Sequence, residues 1–233
     1  MLGSLEFKEG EPLHEQVYRR LSDSLMQGDL APGQQLTLRA LAESLGTSVM
    51  PVREAVRRLA TQKAVQILPK RYILVEPLTA ESYLELVDVR KLIEGRATAR
   101  ACELLSEEEI RQIAAINDRL MAYAERGMLR KALKENQHFH FAIYQAARSR
   151  VLLEIIESLW VRVGPSLHHL LAEAFARDSQ TLHEGFANHQ RVIDALGSRD
   201  AEAAMQYMRA DLEVSEGLML DALKRQFQLS RGT

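Results

Sequence analysis

The sequence predicts a mainly α-helical protein in two parts: an N-terminal winged helix-turn-helix with a small β wing, then an antiparallel all-helical bundle. Three observations carry this. Residues 36–60 read LTLRALAESLGTSVMPVREAVRRLA, two short amphipathic helices meeting at a glycine-containing turn. Two short β-like runs follow at 65–68 and 72–75, around Pro69, Lys70 and Arg71. From Thr79 almost to the end, apolar residues recur at helical spacing.

Taken in order, residues 1–10 are an arm, and Pro12 opens a first helix reaching about Gln27, with Leu13, Val17, Leu21 and Leu25 on one stripe. Gly28 and the Ala31-Pro32-Gly33 turn stop it. A helix over 38–45 buries Leu38, Leu41, Ala42 and Leu45, and Gly46 supplies the turn. Ser48 is the expected N-cap of the next helix, with Pro51 tolerated in its first turn. Val52, Ala55, Val56 and Leu59 face its core, flanked by Arg53 and Arg57 on one side and Glu54 and Arg58 on the other. Residues 65–75 read as a hairpin wing with a basic tip. Pro77 sets a linker at 77–80 between a first domain, 11–76, and a second, 81–226, with a tail at 227–233. Thr79 caps a helix to about Leu105, and Ser106 with Glu109 forms a capping box for another to about Arg126. Helices follow over 128–147 and 150–162. Gly164-Pro165 is expected to break the chain before a shorter helix at 166–176, then come 179–196 and 199–226.

Composition narrows the class. With 233 residues and 46% hydrophobic content, the chain can build two packed domains. No apolar run approaches the roughly 20 residues that span a bilayer, so no membrane partner is expected. The N-terminus lacks a basic n-region and an apolar h-region, which speaks against secretion. The single cysteine, Cys102, excludes an internal disulfide and fits a reducing, cytoplasmic setting. The net charge of −2 is uneven: residues 11–75 carry +3 and residues 76–233 carry −4. A basic front and an acidic rear fit one part that meets phosphate and one that does not.

In a helix-turn-helix the second helix enters the major groove with its N-terminal residues nearest the bases. Arg53 is the candidate for a bidentate guanine contact. Arg39, Thr47, Ser48 and Arg57 are candidates for phosphate or base contacts, and Lys70 and Arg71 for the backbone or minor groove. Arg57 and Arg58 read equally well as ordinary helix-surface charges.

The bundle places polar residues on inward stripes. Asn136 and His140 share a face of one helix, His189 sits mid-stripe on another, and Asp211 flanks the stripe of the last. Buried polar groups need partners, so these residues suggest one shared site, either a divalent metal centre or a metal-free hydrogen-bonded cluster. Imidazole and carboxylate suit Zn²⁺, Ni²⁺ or Mn²⁺. Arg90 also faces inward, either to clamp an effector carboxylate or to pair with Glu94 one turn on. Arg148, Trp160 and Arg162 are further effector-pocket candidates.

The run Leu41-Ala42, Leu45-Gly46, Ser48 and Pro51-Val52-Arg53-Glu54-Ala55-Val56-Arg57-Arg58-Leu59 resembles the GntR superfamily of bacterial transcription regulators. With Arg90-x-x-x-Glu94 and Phe139-His140, it looks more closely like the FadR subfamily, whose helical FCD domain binds an effector. The resemblance covers about residues 11 to 225. It implies a homodimer on a palindromic DNA operator, repressing until a small organic acid binds. It also implies a metal site built from one carboxylate and three histidines; this chain keeps His140 and His189, with Asn136 for the usual aspartate and Asp211 for the last histidine. Two further departures are Val49, where many members carry arginine, and Lys70-Arg71 at the wing tip, where glycine is usual. Competing readings are a metal-dependent enzyme on a helical bundle and a helical interaction module that senses nothing. The expected reading is a ligand-responsive regulator without catalytic residues.

Overall fold

The computed structural model describes residues 8–69, 72–177 and 179–231. The chain forms two compact units. One contains the chain up to Leu78 together with Trp160–His169; the other contains Thr79–Leu159 and the chain from Leu170 onward.

The first unit begins with α1 (Leu13–Met26), which buries Val17, Leu21 and Leu25. The helix-turn-helix follows as α2 (Leu38–Leu45) and α3 (Val49–Thr61). The Thr37 hydroxyl caps α2 by accepting from the Ala40 amide at 3.1 Å. Gly46 ends it in the left-handed region at φ 69°, where a side chain would be strained, and this turns the chain into α3. Ser48 is the N-cap residue of α3, yet its side chain makes no cap bond. One of the two possible donors is absent: a cap hydroxyl bonds the second or third helical amide, and Pro51 at the third position has no N–H. The Ser48 hydroxyl is thus left on the surface.

The wing is larger than the sequence suggested. β2 (Val65–Ile67) and β3 (Tyr72–Val75) pair antiparallel, and an unforeseen β1 (Gln35–Thr37) adds to the other edge of β3, giving the order β1-β3-β2. Leu36 lies opposite Ile73 in one pair, and Ile67 opposite Ile73 in the other. Three residues are too few to show a two-residue alternation, and β1 exists only because β3 returns beside it.

In the second unit, α4 (Ala80–Leu104) and α5 (Glu107–Glu125) both start at capping boxes, Thr79 with Ser82 and Ser106 with Glu109. Then come α6 (Leu129–Ala146), α8 (Ser179–Gly197) and α9 (Ala201–Arg231). α9 packs on α4 and α8, and α5 packs on α6 and α8. These contacts bring α5, α6, α8 and α9 around one core that includes Ile113, Leu120, Phe139, Ile143, Leu196 and Met208.

The expected break at Gly164-Pro165 is absent. α7 runs unbroken over Arg150–Arg177 with Pro165 inside it. A proline removes one helical hydrogen bond and crowds the preceding turn. Here packing outweighs that cost: Trp160, Val161, Val163 and Leu167 are buried. Gly164 is pressed against α1, where an added Cβ would come within 2.6 Å of Met26 Cα and 2.7 Å of the Leu25 carbonyl oxygen.

Candidate DNA-reading face and buried polar centre

On the first unit, α3 and the wing enclose a groove of about 210 Å³ lined by Leu38, Arg53, Val56, Arg57, Ile67 and Ile73. Arg53 is half-buried at its edge, and Arg39 is exposed at the start of α2. Neither makes a hydrogen bond or ion pair among the described residues. Their charge is therefore available to an external anion. Thr47 is half-buried and Ser48 exposed at the N-terminus of α3, where the helix dipole adds to the attraction for anions.

The other α3 arginines differ. Arg57 is exposed and lies 3.0 Å from Glu54. Arg58 bonds Glu15 of α1 at 2.8 Å and stacks 3.6 Å above the Tyr18 ring. Arg58 thus ties α3 to α1, resolving its ambiguity toward structure. Lys70 and Arg71 lie outside the described residues.

In the second unit the expected polar residues converge. His140 of α6, His189 of α8 and Asp211 of α9 are all buried, with donor atoms within 4.8 Å of one another. His140 Nε2 lies 3.3 Å from Asp211 Oδ2, and His189 Nε2 lies 3.4 Å from Oδ1. Phe139 stacks on His189 at 4.1 Å. Asn136 is buried one turn before His140, and its amide makes no hydrogen bond among the described residues.

Two partners that the sequence reading missed, Asn117 and Tyr144, fix this centre together with Glu94. Asn117 of α5 accepts a hydrogen bond from His189 Nδ1 at 3.1 Å. Tyr144 lies 3.0 Å from His140 Nδ1 and donates its own proton to Glu94. Glu94 in turn accepts from Arg90 Nε at 2.6 Å, with both side chains inaccessible to solvent. A polar chain thus runs Asn117–His189–Asp211–His140–Tyr144–Glu94–Arg90. The signal for Asn117 was present: it interrupts the inward stripe Ile113, Leu120, Ala124.

The chain dictates tautomers. A carbonyl oxygen can only accept, so His189 carries its proton on Nδ1. The Tyr144 proton is directed to Glu94, so its oxygen accepts from His140 Nδ1–H. With both Nδ1 atoms engaged, Nε2 is the atom of each imidazole that faces Asp211. Burial disfavours ionisation of Asp211, but positive charge and N–H donation from His189 and His140 outweigh it and hold the carboxyl well below its usual range. Burial pushes the His189 pKa down, against the pull of Asp211. A carboxylate and two imidazole Nε2 atoms converging in a dry core favour positive charge between them, carried by protons or by a metal ion, so the donor set fits a divalent metal. Burial, reinforced by Glu94, pushes the Tyr144 hydroxyl well above its ordinary pKa, so it stays a donor.

The effector candidates are scattered. The Arg90 fork is engaged by Glu94. Arg148 is 60% exposed and lies 3.7 Å from Glu109 on a surface groove between α5 and α6. Trp160 is buried, and it and Arg162 fall in the α7 segment that clusters with the first unit.

Comparison with known proteins matches residues 13–75 to "Bacterial regulatory proteins, gntR family" and residues 85–214 to the FCD domain. The chain is 33% identical over 187 residues to the HTH-type transcriptional regulator McbR of Escherichia coli K12, covering 80% of this chain and 83% of that protein. It is 25% identical to the HTH-type transcriptional repressor RspR of the same organism, covering 89% and 90%. The solved structure of E. coli McbR/YncC superposes with a TM-score of 0.82 at 30% identity, over 93% of this chain and 99% of that one. A GntR regulator from Rhodococcus sp. RHA1 shares the fold with a TM-score of 0.70 at 23% identity.

Proposed function

The chain belongs to the GntR family of bacterial regulatory proteins and carries an FCD domain, and from that premise we propose a cytoplasmic repressor of the FadR subfamily that a small carboxylic acid releases from its operator. It is a DNA-binding transcriptional regulator, not an enzyme. In this reading residues 11–76 read DNA, 77–80 link, and 81–226 bind the effector and dimerise. α3 enters the major groove, Arg53 contacts a base, and Arg39, Thr47, Ser48, Arg57, Lys70 and Arg71 contact phosphates or base edges. The observation that carries it is that the guanidiniums of Arg39 and Arg53, on the two helices of the helix-turn-helix, have no partner among the described residues.

His140, His189 and Asp211, with Asn136 at hand, would hold Zn²⁺, Ni²⁺ or Mn²⁺. Such an ion supplies a Lewis-acidic position that a carboxylate oxygen can occupy. The protein's part is to keep both Nε2 lone pairs aimed inward through Asn117 and Tyr144, and to exclude water with Phe139. Arg90 serves this centre through Glu94, and Arg148, Trp160 and Arg162 are left outside it. Large apolar side chains left exposed on α4 (Leu84, Val89, Leu92) and α7 (Val151, Ile155) support a homodimer.

Selection from a random duplex library, repeated with an organic-acid panel, tests the proposal. An enriched palindrome, released by one acid, is the expected result; enrichment of no sequence overturns it. For the ion, ICP-MS after loading with Zn²⁺, Ni²⁺ or Mn²⁺ should give about one equivalent. Less than about a tenth ends the metal proposal.

A further inference from the structure

The exposed apolar side chains of the first unit are unevenly placed. Among its described residues the large ones are Leu13, Met50, Ile67 and Tyr72. Three of these four belong to α3 or the wing. Met50 stands out: it is 59% exposed at the second position of α3. Val49 beside it is half-buried. Val49 offers no hydrogen bond and the Met50 thioether only a weak acceptor, so at the end of α3 that lies nearest the bases they are poor readers of donors and acceptors. Only one base-pair feature in the major groove rewards apolar surface, the C5-methyl group of thymine.

We propose that Met50, seated beside Val49, is a specificity-determining residue that reads thymine methyl groups in the operator. Arg53, one turn further along α3, reads a hydrogen-bonding edge, while Met50 reads shape and hydrophobicity. Each operator half-site then carries a T·A pair within reach of Met50. Met50 loses part of its water-exposed surface only on the correct sequence, so its contribution is to discrimination. The proposal rests on α3 entering the major groove and adds which base feature its first turn selects.

Replacing thymine by uracil removes the methyl group and nothing else. The full-length protein is titrated against the duplex from the random-library selection and against copies with uracil at single thymines. Uracil at the contacted thymine of each half-site should weaken binding about 4-fold per methyl, the value of one buried methylene. In Met50→Ala the thymine and uracil duplexes should bind alike, and Met50→Leu should restore the preference. Met50 is exposed, so these variants keep the fold, which a thermal melt verifies. Equal affinity of the wild type for both duplexes overturns the proposal, as does a preference surviving in Met50→Ala, or a selected site without thymine. In those cases a tight, selected operator leaves α3 as the reader. A selection that enriches nothing removes base reading by α3 altogether, and this proposal with it.

Discussion

The two units keep the polar groups of their candidate sites in opposite states. On the helix-turn-helix, Arg39 and Arg53 stand at the surface with no partner among the described residues. In the bundle, Arg90, Glu94, His140, His189 and Asp211 are buried and joined end to end. The difference teaches what each arrangement is for. An unpaired surface arginine costs little in water and gains its energy only when an anion arrives. A buried polar group must be satisfied within the protein, so it sets geometry and leaves little charge for a visitor. One unit is prepared to meet a large external polyanion. The other is prepared to hold something small in a fixed place.

The largest expected effect comes from breaking the buried chain. Glu94→Ala leaves the Arg90 guanidinium in the core without its carboxylate and deprives Tyr144 of its acceptor. Denaturant unfolding should show a loss of about 3–5 kcal/mol. A loss below about 1 kcal/mol would mean that Arg90 finds water or another anion, and the contrast between the units would fail. A smaller, more specific effect is expected from Tyr144→Phe. It preserves the ring and removes the oxygen that receives His140 Nδ1–H, so the His140 tautomer is no longer imposed. Affinity for the loaded metal should fall about 10- to 100-fold, measured by competition with a chelator. Nitrogen-15 chemical shifts of His140 should lose their single-tautomer signature, which a merely loosened core would not produce.

How much of this was legible in the sequence follows the same division. The helix-turn-helix lies within one stretch of 25 residues, 36–60, and its turn, cap position and apolar stripe are local signals. They gave α2 with its observed bounds and the start of α3 after Ser48. The failure of Ser48 to cap was local too, because Pro51 announces it. β1 was not legible, since it takes its identity from pairing with β3. Continuity of α7 through Pro165 was hidden for the same reason: it depends on Gly164 meeting Met26, 138 positions away. In the bundle, stripe periodicity found His140, His189 and Asp211, because a polar residue on an apolar stripe is conspicuous. It missed Asn117 and Tyr144, which hold the two imidazoles from their Nδ1 sides rather than standing at the centre. It also left Arg90 divided between two roles, and the contact with Glu94 decides that division only in three dimensions.

On the DNA-reading face the effects should be smaller and should fall on binding. Arg53→Ala is expected to cost about 1–3 kcal/mol in operator affinity, with stability changed by no more than about 0.5 kcal/mol. Gel-shift titration against the selected operator, paired with a thermal melt, separates the two. Unchanged affinity would take Arg53 out of the reading set.

Arg58 provides the control, because it lies on the same helix with the opposite assignment. It pairs with Glu15 and covers the Tyr18 ring, so its charge is already engaged within the first unit. Both members of that ion pair are close to half exposed, at 49% and 41%, which limits the pair to a few tenths of a kcal/mol. The stacking on Tyr18 adds about 0.5–1 kcal/mol. Arg58→Ala should therefore lower stability by about 1 kcal/mol and leave operator affinity within about 2-fold, since less than 0.4 kcal/mol would be lost at the DNA. A reversed outcome, with stability intact and affinity strongly reduced, would show Arg58 leaving Tyr18 for a phosphate. The rule that a paired arginine holds the fold while a partnerless one serves the ligand would then fail within a single helix, and Arg53 would have to be judged by binding data alone.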